Sequence, residues 1–283
     1  MIIRHRIVVA FLVAALAAAG VATAQRRRQG GGGFGFGYGR ASVKMMTPED
    51  YNGAFLFCRI IFRTTPDGDG GNWGVDYPRA DINLTFRLSE LTKTPVTRDE
   101  RDGYNHVVIR MDDPLLYKCP FIMMTEVGNT YLDEAESTAL RDYALKGGFL
   151  WADDFWGEYA WRIWAREIGK AFPPERYPII DLPLEHQLFH VLYDIKHYTQ
   201  IPSINFWGYT GGQTSERGAD SAQPHVRAIL DPDDPQRIMV LITHNTDFGD
   251  AFEREGDDHA YFLKFAPDGY AFGVNALVYS MTH

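Results

Sequence analysis

Two adjacent carboxylates, Asp153 and Asp154, directly follow the short apolar run at residues 149–152. A carboxylate pair at the end of a strand can bind a hard metal ion through its oxygens, or serve as a general acid and base. Aspartate is equally common in turns and at the first residues of helices, where it accepts hydrogen bonds from the backbone. The sequence leaves both interpretations open.

The two aspartates are expected to differ in role, because consecutive residues of a strand point to opposite sides of the sheet. We expect Asp153 to face a pocket at the end of the strand. Asp154 is nearer to the helix predicted next and is expected to accept hydrogen bonds from its free backbone N–H groups.

Other polar residues follow other predicted strands, and ligands of open parallel sheets bind at the carboxyl ends of the strands. The candidate ligand-binding residues are Trp73, Asp76, Tyr77, Glu126, Asp153, His244, Asn245 and Asp247, with Asp67 and Asp69 in the same loop as Trp73. Together they could bind a metal or provide acid–base catalysis, or they could simply cap helices and solvate turns. No particular metal, cofactor or catalytic residue is indicated.

Histidine and tryptophan give weaker signals. His186 and His190 are four residues apart, but the zinc-protease pattern HExxH is missing, so we expect one to pack in a turn and the other to lie on the surface. Trp73 and Trp156 lie in or near loops and could contact a ligand. Trp161 and Trp164 share a helical face with apolar residues and are expected in the core.

The elements that must position these residues alternate between strands and helices. Strands are predicted at residues 55–62, 106–111, 120–125 and 149–152, and helices at 79–91, 133–146 and 159–172. This alternation is typical of an α/β fold with a mostly parallel sheet covered by helices. Residues 226–231 and 237–244 flank a five-residue loop and predict an added β-hairpin, whereas residues 270–281 fit either a helix or a strand.

The N-terminus predicts export. Arg4 and Arg6 precede a short apolar run and then Ala22, Thr23 and Ala24, which is typical of a signal peptide over residues 1–24. The alternative, an uncleaved anchor, needs about 20 apolar residues, more than this run has. A Gly/Arg-rich flexible linker is predicted at residues 25–50 and one α/β domain at 51–283. The location expected is the periplasm or the medium, with no membrane span after cleavage.

Charge and cysteine content limit the partners. The formal net charge is −9, and removing Arg4 and Arg6 makes it more negative, which argues against nucleic acid as a partner. Cys58 and Cys119 lie in or beside apolar, strand-like runs, where buried free thiols are common, so two free thiols are expected. A disulfide between them is the alternative in an exported protein.

Several segments carry a resemblance to a known family. They are FLFCRIIF, NWGVDYPRADINL, PFIMMTE, EAESTALRDYALKGGFLWADDFWG, LEHQLFH, HNTDFGDAF and YAFGVNALVYSM. Over about residues 54–282 the chain resembles an uncharacterised bacterial family, domain of unknown function 4159. The resemblance implies a flavodoxin-like sheet similar to that of class I glutamine amidotransferases. Asp153 stands at the turn where those enzymes carry their nucleophilic cysteine, so glutamine hydrolysis is not expected.

The function expected is therefore an exported protein of amidotransferase-like fold that lacks the nucleophile and binds a small molecule or an envelope protein. The first alternative is a hydrolase centred on Asp153, working with a metal or as a paired acid and base. A second alternative is a scaffold in an envelope complex, suggested by the long aromatic region at residues 173–224.

Overall fold

The computed structural model describes residues 43–283. The predicted signal peptide and most of the predicted linker lie outside the described residues. The last residues of that linker segment are fixed to the domain: Met45 forms a parallel bridge with Val108, and Met46 is buried. A short 3-10 helix, Pro48–Asp50, follows.

A seven-stranded sheet forms the centre of the domain. Its spatial order is β3-β1-β4-β6-β9-β8-β7, and a separate pair consists of β2 and β5. The strands are β1 (Phe57–Ile61), β2 (Arg63–Thr64), β3 (His106–Arg110), β4 (Ile122–Thr125), β5 (Thr130–Tyr131), β6 (Leu150–Asp153), β7 (Ile179–Asp181), β8 (His225–Leu230) and β9 (Ile238–His244). The first five strands in the spatial order are parallel, β8 pairs antiparallel with β9, and β7 pairs antiparallel with β8. The predicted mostly parallel sheet and the added hairpin are confirmed.

Helices cover both faces of the sheet. They are α1 (Arg79–Leu91), α2 (Glu134–Leu145), α3 (Gly157–Ala171), α4 (Ile204–Thr210), α5 (Phe248–Glu253) and α6 (His259–Thr282). The side chains of α2 and α3 pack in one apolar core, and those of α1, α5 and α6 pack in the other. Residues 270–281 belong to a helix, which settles the alternative that the sequence left open. Within residues 43–283, no helix has both the length and the apolar character needed to cross a membrane.

Local signals explain why the predicted helices form where they do. Asp133 accepts a hydrogen bond from the backbone N–H of Glu136, and the Glu136 carboxylate accepts one from the N–H of Asp133. This reciprocal cap satisfies two N–H groups at the start of α2. After the helix, Gly147 adopts a φ of +101°, a conformation in which glycine has no steric penalty. The helix therefore ends just before the strand that leads to the two aspartates.

The two cysteines form a disulfide, so the expectation of two free thiols was wrong. Cys58 lies in β1 and pairs in register with Ile122 of the neighbouring β4. Cys119 comes three residues before Ile122, which brings the two Cα atoms to 6.0 Å, a normal separation for a bridge. The two cysteines meet because β1 and β4 are neighbours in the sheet. The sequence predicts each strand but not which strands lie side by side.

Candidate functional site

Three neighbouring strands of the sheet end in the same unusual way. The first residue after each of β4, β6 and β9 has a left-handed backbone: Glu126 (φ 56°), Asp154 (φ 56°) and Asn245 (φ 61°). Asp76, in the loop that follows β2, has a φ of 63°. Positive φ is uncommon for residues other than glycine and clusters at functional sites. The chain thus turns sharply at one edge of the sheet and places polar side chains there.

Three carboxylates meet at this edge, and we call them the acid cluster: Asp76, Asp154 and Asp247. One carboxylate oxygen from each lies within 4.8 Å of the others. All three residues are buried, with exposed fractions of 6%, 5% and 3%. A neighbouring set, Asp76, Asp250 and Glu253, meets the same distance criterion and shares Asp76 with the acid cluster.

A buried arginine of β1 positions the loop that carries Asp76. Arg59 donates through Nε to both carboxylate oxygens of Asp81, at 3.0 and 3.1 Å. Its Nη1 donates to the carbonyl of Val75 at 3.2 Å and to Oγ1 of Thr125 at 3.0 Å. The guanidinium therefore holds the residue before Asp76 against the end of β4, while its charge is balanced by Asp81.

Asp153 connects β6 to β9 and to the start of α5. Its Oδ1 accepts a hydrogen bond from Oγ1 of Thr243 at 2.5 Å. Its Oδ2 accepts from the backbone N–H groups of Phe248 at 2.9 Å and Gly249 at 3.1 Å. Asp247 begins the same helix, with Oδ1 accepting from the N–H of Asp250 at 2.7 Å. Asp153 is thus engaged by three donors, and the expectation that it simply faces a pocket was wrong.

Asp154 does not cap α3, so this expectation was also wrong. The first N–H groups of that helix have other acceptors. The N–H of Gly157 donates to Oδ1 of Asn245, and the N–H of Glu158 donates to Oδ2 of Asp220. The Asp154 carboxylate accepts one hydrogen bond, from Nε1 of Trp156 at 3.1 Å. The left-handed turn at residue 154 directs its side chain to the acid cluster rather than along the following helix. The structure therefore exchanges the roles expected for the two aspartates.

The acid cluster is electrostatically unfavourable without a compensating charge. Burial raises the pKa of Asp76, Asp154 and Asp247 well above that of an ordinary aspartate, and neighbouring carboxylates raise each pKa further. The Oδ2 atom of Asp76 is buried and accepts no hydrogen bond in the described part of the chain. Such a group either takes up a proton or binds a cation.

Glu126 lies half-buried beside the cluster, and a glycine-rich loop packs against it. A Cβ on Gly70 would come within 2.6 Å of its Oε2, so the close approach of this loop requires glycine. Burial raises the pKa of Glu126 to about 7, with smaller contributions from Glu216 and Asp69. Asp69 forms an ion pair of 3.2 Å with Arg217, which joins the loop to the segment carrying Glu216.

His244 and Asn245 build the start of α3 and do not join the acid cluster. The His244 ring packs on Phe155 at 4.8 Å between centroids, and its Nε2 donates to the carbonyl of Gly157 at 3.1 Å. Burial lowers the pKa of His244 to about 3, so the ring is neutral. Asn245 accepts from Gly157 and donates to the carbonyl of Gln223. Both side chains have structural partners.

The aromatic candidates have partners of their own. Trp73 and Tyr77 contact each other edge-to-face at 5.8 Å, and Trp73 packs against one apolar core. The Tyr77 hydroxyl accepts a hydrogen bond from the N–H of Lys44. Trp156 is buried, and its indole N–H donates to Asp154. Of Trp73 and Trp156, Trp156 is therefore the one that contacts the acid cluster.

His186 and His190 lie where the sequence predicts them, one in a turn and the other on the surface. His186 accepts a hydrogen bond from the N–H of Leu188 in a turn. His190 is exposed and contacts Oδ1 of Asp194 at 2.8 Å. Asp67, the other acid of the first loop, lies on the surface and accepts from the Thr65 hydroxyl.

Two acids of the site were missed in the sequence. Asp250 and Glu253 follow Asp247 at intervals of three residues, a spacing that places successive side chains on one side of a helix. The segment TDFGDAFE directly follows β9, so the same rule about strand ends should have drawn attention to them. Asp76, Glu126 and Asp247 were anticipated by that rule and do lie at this edge.

Comparison with known proteins agrees with the resemblance seen in the sequence. No curated protein matches the chain. The model of the family described as Domain of unknown function (DUF4159) matches residues 60–281, which include every residue of the acid cluster. The chain belongs to this DUF4159 family.

Proposed function

We propose that the protein is an exported module of the cell envelope that binds a hard divalent cation at the acid cluster. One observation carries the proposal: three buried carboxylates lie within 4.8 Å of one another, and Oδ2 of Asp76 has no hydrogen-bond donor in the described part of the chain. Removing such groups from water is unfavourable unless a positive charge compensates them.

The nearby basic side chains are already engaged. Arg59 is paired with Asp81, because both its Nη2 and its Nε contact the Asp81 carboxylate. Arg254 contacts Asp250 and Glu253 rather than the acid cluster. Neither Arg59 nor Arg254 forms an ion pair with Asp76, Asp154 or Asp247. A divalent ion would supply the missing charge at the point where the three carboxylates converge.

The chemistry of the site favours calcium or a similar ion. The converging ligands are all carboxylate oxygens, which suit Ca²⁺, Mg²⁺ and Mn²⁺ rather than thiolate- or imidazole-bound metals. The cluster is nearly closed to solvent, whereas Mg²⁺ usually keeps several water ligands. An enclosed set of carboxylates therefore fits Ca²⁺ best, in a binding or structural role.

Export is supported by two features of the chain. The N-terminal residues have the pattern of a signal peptide. The Cys58–Cys119 disulfide is the kind of bond that persists in oxidising compartments and is rare in the cytosol. Both favour the periplasm or the medium, where free calcium is available to the site.

A metal-assisted hydrolase is the second candidate, and Glu126 is the observation that favours it. Its carboxylate is half-buried beside the acid cluster, and its pKa of about 7 suits a general base near neutral pH. Asp153, on which the sequence centred this alternative, is bonded to three donors and is the weaker choice. The near closure of the site favours binding over turnover.

Calorimetric titration of the exported, chelator-treated protein with Ca²⁺, Mg²⁺ and Mn²⁺ tests the proposal. We expect saturable binding with Ca²⁺ tightest. Asp154→Asn keeps an oxygen acceptor for Trp156 and removes one negative charge, so it should weaken binding at least tenfold. Glu175→Gln removes the same charge from an exposed turn after α3, at the opposite edge of the sheet, and should leave binding unchanged.

Failure of all three cations to bind at millimolar concentration would refute the proposal. Equal weakening by Asp154→Asn and Glu175→Gln would also refute it, since the effect would then be one of overall charge. The hydrolase alternative is tested separately by assaying Glu126→Gln, which should lose turnover while keeping the cation.

A further inference from the structure

The acid cluster has a second group of carboxylates beside it. Asp76, Asp250 and Glu253 each place a carboxylate oxygen within 4.8 Å of the others. We propose that the centre holds two divalent cations, with Asp76 bridging them: one ion lies in the acid cluster, and the other lies in this second group. The inference rests on the proposed function, because it assigns a second ion to the same site.

Asp76 has the position that a bridging ligand needs. It is 6% exposed, and its Oδ2 accepts no hydrogen bond from any residue that the structure describes. A Cβ on Gly249 would collide with this oxygen and lie 3.3 Å from Oδ1 of Asp247. The Asp76 carboxylate therefore occupies space that is open only because residue 249 is glycine. This carboxylate lies against the first turn of α5, between Asp247 and Asp250 in the sequence of the helix.

The spacing along α5 fits two ions. Asp247, Asp250 and Glu253 recur every three residues, and an α-helix rises about 1.5 Å per residue, or about 4.5 Å over three. Two metal ions that share a bridging carboxylate lie about 3.5–4 Å apart. Asp247 would therefore bind the first ion, while Asp250 and Glu253, one and two steps along the helix, would bind the second.

Charge explains why the second ion should bind more weakly. Arg254 places Nε 3.3 Å from Oδ1 of Asp250 and 2.8 Å from Oε2 of Glu253. The Arg254 guanidinium therefore faces two of the three carboxylates of this group. The guanidinium also repels an incoming cation. We expect the acid cluster to fill first and the second position at higher concentration.

Three variants separate the two positions. Glu253→Gln removes a ligand of the second ion alone, so it should reduce the stoichiometry from two ions to one and leave the first step unchanged. Arg254→Gln removes the competing charge and should strengthen the second step about tenfold. Asp154→Asn should weaken the first step. Glu175→Gln, far from both groups, should retain two steps of unchanged affinity.

The measurement is equilibrium dialysis of the full exported protein against Ca²⁺ and Mn²⁺, with elemental analysis for stoichiometry. Electron paramagnetic resonance of the Mn²⁺ form adds a readout of distance. Two ions per chain with a spin-coupled Mn²⁺ signal are expected. Two ions with uncoupled signals would refute the bridge.

The failures of the two proposals are distinguishable. One ion per chain, lost in Asp154→Asn and kept in Glu253→Gln, would refute the second position and leave the proposed function standing. Two ions retained in Glu253→Gln would also refute the assignment of the second position. Binding of no ion would refute both proposals. Circular dichroism of each variant confirms that a changed stoichiometry comes from a folded protein.

Discussion

Replacing Asp153 by alanine removes the acceptor that joins β6 to the first turn of α5. The backbone N–H groups of Phe248 and Gly249 both donate to its Oδ2, and the Thr243 hydroxyl donates to Oδ1. All four residues are buried or belong to a buried segment, so water cannot replace the lost acceptor. Each buried donor left without a partner costs about 1–3 kcal/mol.

The expected loss in Asp153→Ala is therefore about 2–6 kcal/mol, from the two backbone donors, since the Thr243 hydroxyl also has the Ala152 carbonyl as an acceptor at 3.3 Å. For a domain of this size, each kcal/mol lowers the melting temperature by about 2–4 °C, so the melting temperature should fall by about 4–24 °C. Measurement at pH 6 isolates this effect. Because burial raises the pKa of Asp153 to about 7, relief of its charge contributes little at that pH.

Asp154→Ala is the matched variant. It leaves one buried donor, Nε1 of Trp156, without a partner at about 1–3 kcal/mol, and it also removes one member of a group of repelling carboxylates. The two effects oppose each other, so the free energy of unfolding should fall by less than in Asp153→Ala. Urea unfolding of both variants in chelator, followed by circular dichroism, gives the comparison. A larger loss in Asp154→Ala than in Asp153→Ala would refute the exchange of roles between the two aspartates.

Two further predictions follow from the buried acids and the disulfide. In chelator, the protein should lose stability as the pH rises from 6.5 to 8.5, because a carboxyl with a raised folded pKa contributes stability below its unfolded pKa and loses it as the pH passes the folded value. His244 acts in the opposite direction, but only below about pH 6.5, since its folded pKa is about 3. Urea unfolding at several pH values measures the change, and flat or rising stability would contradict the prediction. Added Ca²⁺ should restore the lost stability. Denatured, non-reduced protein should titrate no free thiol, and two reactive thiols would exclude the disulfide. The double variant C58S/C119S should lose about 2–5 kcal/mol in its free energy of unfolding in urea.

The elements could be predicted because their signals are local. The bounds of α1 and the reciprocal cap of α2 depend on residues within a few positions of each other. The approximate location of the site was also predictable, since parallel strands end at a common edge and the polar residues that follow them must gather there. Asp76, Glu126 and Asp247 were identified on that basis.

What could not be predicted depends on backbone conformation and on strand neighbours. Alternation along a strand assigns opposite sides to Asp153 and Asp154, but the left-handed φ of Asp154 redirects its side chain after the strand has ended. Two adjacent aspartates in a sequence do not predict that the second one is left-handed. The disulfide was missed for a related reason. Strands β1 and β4 are separated in sequence by β2 and β3 and are neighbours only in the folded sheet.

The unfavourable features of the molecule are concentrated at one edge of the sheet. Glu126, Asp154 and Asn245 take left-handed conformations on three adjacent strands, each at an expense of order 1 kcal/mol. The acid cluster adds repulsion between buried carboxylates at the same place. Both penalties persist only because the sheet and the Asp153 bonds hold the strand ends rigidly. The proposed cation would remove the repulsion without any rearrangement of the scaffold, so the strain already present would serve as preorganisation for binding.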